Sequence, residues 1–366
     1  MSVRQVLLIA VAIIGLSMVS SVVVIVSAKF RRGRAGARSR ALLAPYRRAL
    51  LAMASGEDET GQAKAELYEV PPHTWDRLRP SVLAFLTKVR GASAADLGEL
   101  LRSHGEIERA TKMLTSRSAV HRARAAYLFG LVRDPTTAPL VIPLLSDSNA
   151  DVRFVATRSL GFIGDPSAAG DVLRALRNSH GRIGVPAWIA AEALLAMGIE
   201  IASALRVGLA ADDLEVRNVC AVVAGLGTFS SAAPQLRILL NTERDDDVRA
   251  SVAVALGRIG GLDDAAVLAS HTDVSETSVL RRTCVTALGD IGQRESLDVL
   301  AGLLAQSDRR LAQLAADSMI RIGVEGIARL QVFATAAGEG PEARVALGAL
   351  DVARLRGELD NAETSL

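Results

Sequence analysis

The sequence predicts an all-α protein, an α-solenoid of about eight stacked helix pairs that follows one N-terminal transmembrane helix. Half of the 366 residues are apolar but only 3% are aromatic, a composition that suits closely packed helices better than β-sandwiches or barrels. A unit with helical spacing recurs about every 32 residues along most of the chain. Residues 5–28 contain no charged side chain.

The uncharged stretch at 5–28 is the predicted transmembrane helix. At about 1.5 Å of rise per residue it is long enough to cross a hydrocarbon core of roughly 30 Å. A cleaved signal peptide is the alternative, because Val26-Ser27-Ala28 resembles a cleavage site. The apolar core of a signal peptide usually has only about 7–15 residues. The length of the stretch therefore favours an uncleaved anchor.

Charged residues predict the orientation of this helix. Arg4 precedes it, whereas six basic residues follow it by position 40: Lys29, Arg31, Arg32, Arg34, Arg38 and Arg40. Basic flanks stay on the cytoplasmic side, so we expect a single-pass membrane protein with its N-terminus outside and its solenoid in the cytoplasm. The basic juxtamembrane segment at 29–56 either serves only as this topology signal or also contacts anionic lipid headgroups.

The rest of the chain divides into three predicted parts. Residues 57–104 are a helical lead-in that Pro71 and Pro72 interrupt, residues 105–357 are the repeat array, and residues 358–366 are a tail. The clearest repeat copy runs from Asp151 to Pro166, and its apolar residues share one face of a helix with a period of about 3.6. These residues are Val152, Ala156, Leu160 and Ile163.

Glycines close the repeat units and are expected to end a helix in the left-handed conformation. They are Gly164, Gly198, Gly227, Gly260, Gly292 and Gly323. The other helix of each pair has the same apolar period, as in Pro139–Leu145 and Leu297–Leu304. Neither helix can bury its apolar stripe alone, so stacked pairs are predicted to form one continuous core.

The signature Asp-Val-Arg-x3-Ala-x3-Leu-Gly-x-Ile-Gly-Asp-Pro, as it stands at 151–166, resembles HEAT repeats, in particular those of the phycobilisome-lyase type. The resemblance implies that the arginine after the valine pairs with acidic residues that precede it, in a ladder between helix pairs. The matching arginines are Arg153, Arg217, Arg249 and Arg281, with Asp147, Asp212 and Asp245 as partners. An anion-binding row on the inner surface is the alternative.

Residues that would indicate catalysis or a cofactor are missing from the sequence. The five histidines have no metal-ligand spacing, and no HExxH, GxSxG or Walker motif is present. Cys220 and Cys284 occupy equivalent core positions in different repeats, so they are expected to be buried small hydrophobes. We therefore expect no enzyme activity, no metal and no cofactor; phycobilin-lyase activity is the one enzymatic suggestion of the resemblance.

Nucleic acid is an unfavoured partner, because residues 117–366 hold 25 basic and 30 acidic residues. The favoured partner is a protein. In HEAT arrays the second helix of each pair lines the concave surface, and the positions on its side opposite the core can contact a partner. In chain order the paired positions are Ala123/Tyr127, Phe154/Arg158, Trp188/Glu192, Asn218/Val222, Ala250/Val254, Arg282/Thr286 and Gln313/Asp317. This variable set contains aromatic and arginine side chains, the usual anchors of interfaces.

The candidate partner-binding residues are Tyr127, Phe154, Arg158, Trp188, Glu192 and Arg282. Two interpretations of the aromatic rings remain open: they anchor a partner, or they fill gaps beneath the lead-in helices or around the irregular third repeat. The predicted function is that of a membrane-tethered, non-catalytic scaffold for protein–protein interaction, by loose analogy an accessory subunit of a bacterial membrane machinery. The alternative is a small-ligand binder or lyase-like enzyme that uses the concave groove.

Overall fold

The computed structural model describes residues 43–58, 60–177, 183–336 and 340–357. Secondary structure in these ranges is helical throughout, which confirms the all-α prediction. The predicted transmembrane helix at 5–28 and the predicted tail at 358–366 lie outside them. Among the described helices, none is long and apolar enough to cross a membrane by itself. Only the bent pair 187–196 and 199–209, with an angle of 116°, meets both criteria when its two helices are taken together.

The chain divides into two compact units, residues 1–110 and residues 111–366. The first unit contains α1 (43–55), α2 (Gln62–Tyr68), α3 (Pro72–Leu86) and α4 (Ala92–Ser103), and α5 (Glu106–Met113) crosses the boundary. Pro72 stands at the first position of α3, where its missing N–H would have no partner within the helix anyway. The core of this unit includes Leu50, Leu67, Leu78 and Leu97, all fully buried.

A buried carboxylate connects the helices of the first unit. Glu106 accepts a hydrogen bond from Nε1 of Trp75 at 2.9 Å and ion pairs with Arg79 at 3.2 Å and Arg109 at 3.1 Å. The ring of His104 stacks on Trp75 with centroids 3.7 Å apart. Two ion pairs with arginine and one hydrogen bond from the indole N–H thus compensate the negative charge of Glu106 within the unit.

The second unit is built on long helices that run from repeat to repeat, here called the second helices. They are α6 (Ala119–Val132), α8 (Ala150–Ile163), α10 (Ala187–Ala196), α12 (Leu214–Leu226), α14 (Asp246–Ile259), α16 (Ser278–Ile291), α18 (Arg309–Ile322) and α20 (Pro341–Leu355). Between them lie the first helices α7 (Ala138–Val141), α9 (Ala169–Arg174), α11 (Ala202–Leu209), α13 (Ala233–Thr242), α15 (Leu262–Ser270), α17 (Leu297–Gly302) and α19 (Val324–Ala336).

Polar caps begin several second helices. Each capping side chain accepts one or two hydrogen bonds from backbone N–H groups of the following first turn, which satisfies donors that have no partner within the helix. The caps are Asn149, Asp213, Asp245 and Asp308. The first helices are shorter than the sequence predicts, and 3₁₀ turns extend several of them. In α7 the helix ends at Val141 and a 3₁₀ turn continues from Ile142 to Ser146, since Pro143 has no N–H for an α-helical bond.

Three of the predicted left-handed glycine caps are present, at Gly164, Gly260 and Gly292. The prediction is wrong for Gly227, which has φ −89°, and the positive φ falls on Thr228. Glycine is required at 227 for another reason: a Cβ atom there would lie 2.2 Å from the ring of Phe229. Gly198 and Gly323 have positive φ but extended ψ, so they also lie outside the left-handed helical region.

Adjacent second helices approach each other through glycine. Gly130 lies against Ser159, and Gly225, Gly257 and Gly289 lie in the same way against Ala255, Ala287 and Ser318 of the helix that follows, so that a Cβ atom would come within 2.6–2.9 Å of the neighbour. Helix α10 has Leu195 where its neighbours have this glycine, and it packs on α12 less extensively than α12 packs on α14. The irregularity of the third repeat in the sequence thus corresponds to looser packing between α10 and α12.

The predicted arginine ladder exists, but the predicted partners are wrong. Arg217 and Arg249 reach forward to a carboxylate of the next repeat, whereas Arg153 donates to O of Ile183 and Arg281 to Oε1 of Gln306. The residues that precede an arginine offer backbone carbonyls instead: Arg217 binds O of Ala211 and Asp212. The carboxylate of Asp245 caps α14 instead, and Asp147 serves an arginine of the preceding repeat. The ion pairs are Arg122–Asp147 at 2.6 Å, Arg217–Glu243 at 2.6 Å and Arg249–Glu276 at 2.6 Å.

Candidate partner-binding surface

The outward positions of the second helices form one surface, here called the second-helix face. All fourteen positions named from the sequence are at least partly exposed, whereas Val152, Ala156 and Leu160 on the opposite side of α8 are fully buried. The helical period of the sequence therefore assigns the two sides of these helices correctly.

Phe154 and Trp188 meet on the second-helix face. Their rings pack edge to face, with centroids 5.8 Å apart and planes at 69°. Trp188 nevertheless remains 62% exposed, so the indole does not fill an internal gap next to the third repeat. An indole held in place by a second ring and open to solvent loses little conformational freedom when a partner covers it.

Arg158 and Glu192 form the next contact between the same two helices, one turn further along. Nη2 of Arg158 lies 3.4 Å from Oε1 of Glu192, and both side chains are exposed. An exposed ion pair of this kind contributes at most about 1 kcal/mol to stability. Its two charges therefore remain available to a ligand of the surface.

Phe162 extends this group of residues and is missing from the sequence-based candidates. The guanidinium carbons of Arg158 and Arg133 lie 5.7 Å and 5.6 Å from its ring centroid, within the range of cation–π attraction. Phe154, Arg158 and Phe162 are spaced by four residues on α8, a signal that the sequence contained. Phe154, Arg158, Phe162, Trp188 and Glu192 are together called the α8–α10 cluster below.

Tyr127 and Arg282 lie on other helices. Tyr127 is 44% exposed on α6, which packs against α8. Arg282, on α16, binds the carboxylate of Asp308 with Nη2 at 2.8 Å and 3.0 Å from the two oxygens. This hydrogen bond, followed by those from the backbone N–H groups of Leu311 and Arg310, lowers the pKa of Asp308. Arg282 is thus bound to the cap of α18 and stands apart from the α8–α10 cluster.

Polar groups on the remainder of the face line two neighbouring cavities, and Thr286 lies at the edge of both. Arg282 lines a cavity of about 410 Å³ between α14, α16 and α18, and Asp317 lines a different one of about 500 Å³. On α12, Oδ1 of Asn218 is buried without a hydrogen-bond partner. Val222 and Val254 add exposed apolar surface on α12 and α14.

Reactive groups of the described chain are shielded or scattered. Burial raises the pKa of Cys220 and of Cys284 to about 12, and both thiols are fully buried and unpaired. These positions agree with the prediction of buried small side chains. No group of three His, Cys, Asp or Glu residues in the described ranges is arranged to hold a metal ion.

Comparison with known structures finds helical repeat proteins of low identity. An X-ray structure of YIBA_ECOLI is 15% identical and has a TM-score of 0.39, covering 72% of this chain and 96% of that one. Human deoxyhypusine hydroxylase is 19% identical, with a TM-score of 0.29 and coverage of 85% and 98%. The CpcE–CpcF complex of phycocyanin lyase from Nostoc sp. PCC7120 is 20% identical, with a TM-score of 0.30 and coverage of 70% and 94%.

The sequence comparisons are more specific about architecture. No curated protein sequence matches the chain. The family model described as HEAT repeats matches residues 107–198, a range that ends at the close of α10 and includes the irregular third repeat. This match confirms the HEAT resemblance, while the assignment to the phycobilisome-lyase type stays a prediction. Residues 107–198 thus match the HEAT-repeat family model, and the helix pairs that follow continue the same helical architecture.

Proposed function

We propose that this chain is a membrane-tethered, non-catalytic scaffold whose second-helix face binds a protein partner. The observation that carries the proposal is the exposed edge-to-face pair of Phe154 and Trp188 beside the ion pair of Arg158 and Glu192. Interfaces are anchored by large aromatic side chains and arginine, surrounded by polar groups that exclude water. The α8–α10 cluster has this composition, and Tyr127 on α6 can extend it.

A small-ligand site or lyase-like enzyme on the same face receives less support. Such a site would require polar groups that converge on one enclosed space. Arg282 and Asp317 instead line two different cavities, and Arg158 and Glu192 pair with each other at the surface. The extended surface of a protein partner can contact separate exposed groups along the second-helix face, which a small ligand cannot reach together.

The tether is the second part of the proposal and rests on the sequence. Residues 5–28 are uncharged and long enough to cross a bilayer, and the basic residues after them orient the array toward the cytoplasm. Attachment raises the effective concentration of a membrane-associated partner, so a modest affinity suffices. Fractionation of cells tests the tether: the full chain should stay with membranes after carbonate extraction, and a chain that lacks residues 1–28 should be released. Retention of the shortened chain would refute the tether.

Co-purification tests the binding face. Tagged full-length protein is isolated in detergent and compared with a Phe154→Ala/Trp188→Ala variant and a control variant, Ile199→Ala/Leu262→Ala. The control removes two exposed apolar side chains, Ile199 (74%) and Leu262 (62%), which lie at the start of first helices rather than on the second-helix face. A protein retained by wild type and control but lost by the aromatic variant supports the proposal.

A second measurement confirms that the contact is direct. The captured protein, once purified, should change the fluorescence of Trp188 and should bind the aromatic variant at least about tenfold more weakly, as expected when one anchor worth about 1.4 kcal/mol is removed. Equal binding by both variants would remove the α8–α10 cluster from the binding site.

A further inference from the structure

A groove crosses the second-helix face at α14, α16 and α18, which pack side by side. It has a volume of about 410 Å³, and every residue of these helices and of the segments between them is described. Three successive repeats contribute to it, so the groove is a product of the array and not of a single repeat. The α14–α18 groove, as it is called below, is lined by Val254 from α14, by Arg282, Thr286 and Asp290 from α16, and by Arg310 and Leu314 from α18.

Two sides of the groove are apolar. Val254 is 43% exposed on α14 and Leu314 is half-buried on α18, so these side chains stand on either side of α16. Between them, the hydroxyl of Thr286 donates to O of Arg282 at 2.9 Å, and its hydrogen is thus already used within the helix. An apolar side chain of a ligand would therefore cover Val254 and Leu314 without leaving this donor unsatisfied.

Two charged side chains of the groove are already paired within the array. Asp290 binds Nη1 of Arg321 at 2.9 Å, and Arg282 binds the carboxylate of Asp308 at 2.8 Å. Arg310, in contrast, is exposed and forms no ion pair with another described residue. The charge that the groove offers to a ligand is therefore positive.

Arg258 adds to this positive charge. It lies one turn after Val254 on α14 and is exposed, and no described acid forms an ion pair with it either. Guanidinium groups at the edge of an apolar depression attract carboxylates and can bind both of their oxygens. Charge complementarity therefore favours an acidic ligand over a basic one.

We infer that the α14–α18 groove binds an acidic segment of the partner protein, in which an aspartate or glutamate stands next to an apolar side chain. The carboxylate binds Arg310, and the apolar side chain lies between Val254 and Leu314. The inference rests on the proposed function, since it describes a second contact of the partner that the α8–α10 cluster anchors. It uses no residue of that cluster.

A peptide probe tests the groove without the partner. A fluorescein-labelled, blocked peptide of glutamate and leucine is titrated with full-length protein in non-ionic detergent and compared with the same peptide carrying glutamine in place of glutamate; empty micelles are the blank. Fluorescence anisotropy should show at least about tenfold tighter binding of the glutamate peptide, and salt should reduce this difference because it screens exposed charges. Equal affinities, or no saturable binding of the glutamate peptide, would overturn the inference.

Charge reversal locates the contact. Arg310→Glu should weaken binding of the glutamate peptide about tenfold and leave binding of the glutamine peptide unchanged. Arg309→Glu is the matched control, because Arg309 is exposed in the same first turn of α18 but does not line the groove. Equal losses in the two variants would indicate general attraction to basic surface and contradict a site at Arg310.

An apolar substitution tests the other half of the groove. Val254→Ser should weaken binding of both peptides about fivefold. Val324→Ser should change neither, since Val324 has a similar exposure of 42% but lies at the start of α19. Sedimentation of the protein alone tests a different occupant: self-association that Val254→Ser abolishes would assign the groove to a second copy of the chain and overturn the inference.

The purified partner distinguishes failure of the inference from failure of the proposed function. Its binding should fall about tenfold in Arg310→Glu and stay at the wild-type level in Arg309→Glu. A partner lost by Phe154→Ala/Trp188→Ala but bound equally by Arg310→Glu would leave the proposed function intact and overturn the inference. A partner that the aromatic variant retains would overturn the proposed function, and the peptide titration would still decide whether the groove takes an acidic segment.

Discussion

Gly161 on α8 lies directly against Ala193 on α10: a Cβ atom built on Gly161 would be only 2.7 Å from Cα of Ala193. The two second helices that present Phe154 and Trp188 are thus held together at a point where no side chain fits. The spacing of the exposed rings depends on this close contact, because a wider separation of α8 and α10 would pull them apart.

Replacement of Gly161 by alanine tests the contact. Alanine gains about 1 kcal/mol in helix propensity over glycine, but overpacking against a backbone atom costs about 1–3 kcal/mol. We expect net destabilisation by about 1 kcal/mol, measured by urea unfolding. Gly348→Ala is the control, since Gly348 lies in α20 with no atom within 4 Å of its Cβ position, and it should be stabilising. A stabilising Gly161→Ala would show that the helices do not need glycine there.

Glu276 should make stability sensitive to acid. Its carboxylate accepts from Nη2 of Arg249 at 2.6 Å and contacts Nδ1 of His271 at 2.7 Å. The hydrogen bond from Arg249, followed by that from His271, lowers its pKa from 4.5 to about 2. Because the pKa is lower in the folded state, the contribution of Glu276 is fully present above pH about 4.5 and is lost as pH falls toward 2.

The Glu276→Gln variant measures this contribution. It should be less stable than wild type by at most about 3 kcal/mol at pH 7, and the difference should shrink between pH 4.5 and pH 2. Glu295→Gln, which alters an exposed ion pair with Arg294, serves as the control with little change at either pH. A difference between Glu276→Gln and wild type that stays constant down to pH 2 would refute the assignment.

The two cysteines should be unreactive in the folded protein. Both side chains have 0% exposure, and burial raises the pKa of each thiol to about 12, so the thiolate that attacks a disulfide reagent is scarce and shielded. Treatment with dithionitrobenzoate at pH 8 should give no reaction with native protein and two thiols per chain in guanidinium chloride. Rapid reaction of one native thiol would place that residue at the surface.

Arg282 should contribute to the stability of α18 rather than to partner binding. It holds the capping carboxylate of Asp308, which accepts from the N–H groups of Arg310 and Leu311. We expect Asp308→Ala to cost about 1–2 kcal/mol, as for a lost helix cap, and Arg282→Ala to cost less than about 1 kcal/mol. Urea unfolding compares the two, and partner capture by Arg282→Ala should equal that of wild type. Loss of partner capture by Arg282→Ala would show that Arg282 belongs to the binding surface.

The sequence predicts the helical periods and the orientation of each second helix well, because buried positions such as Val152 and Val248 recur at fixed helical spacing. The α8–α10 cluster was predictable in part, because equivalent outward positions in successive repeats place Phe154 near Trp188. The role of Phe162 follows from its cation–π contact with Arg133, a residue of the preceding repeat. The acidic partners predicted for the ladder arginines were wrong. The family pattern relates an arginine to acids just before it in the same repeat, whereas the side chain spans the gap to an acid of the next helix pair. Similarly, the sequence predicts the same left-handed conformation for Gly227 as for the other closing glycines. The ring of Phe229 packs against Gly227, which has a negative φ instead.

The two tryptophans offer a direct test of the predicted surface. Trp75 is 2% exposed and donates to Glu106, whereas Trp188 is 62% exposed. Acrylamide should therefore quench the emission in two classes, with the accessible class red-shifted because its indole is in water. Trp188→Phe should remove the accessible class and leave a blue-shifted, weakly quenched spectrum from Trp75.

A bound partner should change the acrylamide quenching of the accessible tryptophan emission. If it covers the α8–α10 cluster, it should protect the accessible class from acrylamide and shift its emission to the blue, since burial of an indole removes contact with solvent. Phe154→Ala should keep the accessible emission but lose the protection. Quenching that remains unchanged at saturating partner would show that Trp188 stays in water in the complex, and the partner would then bind elsewhere on the array.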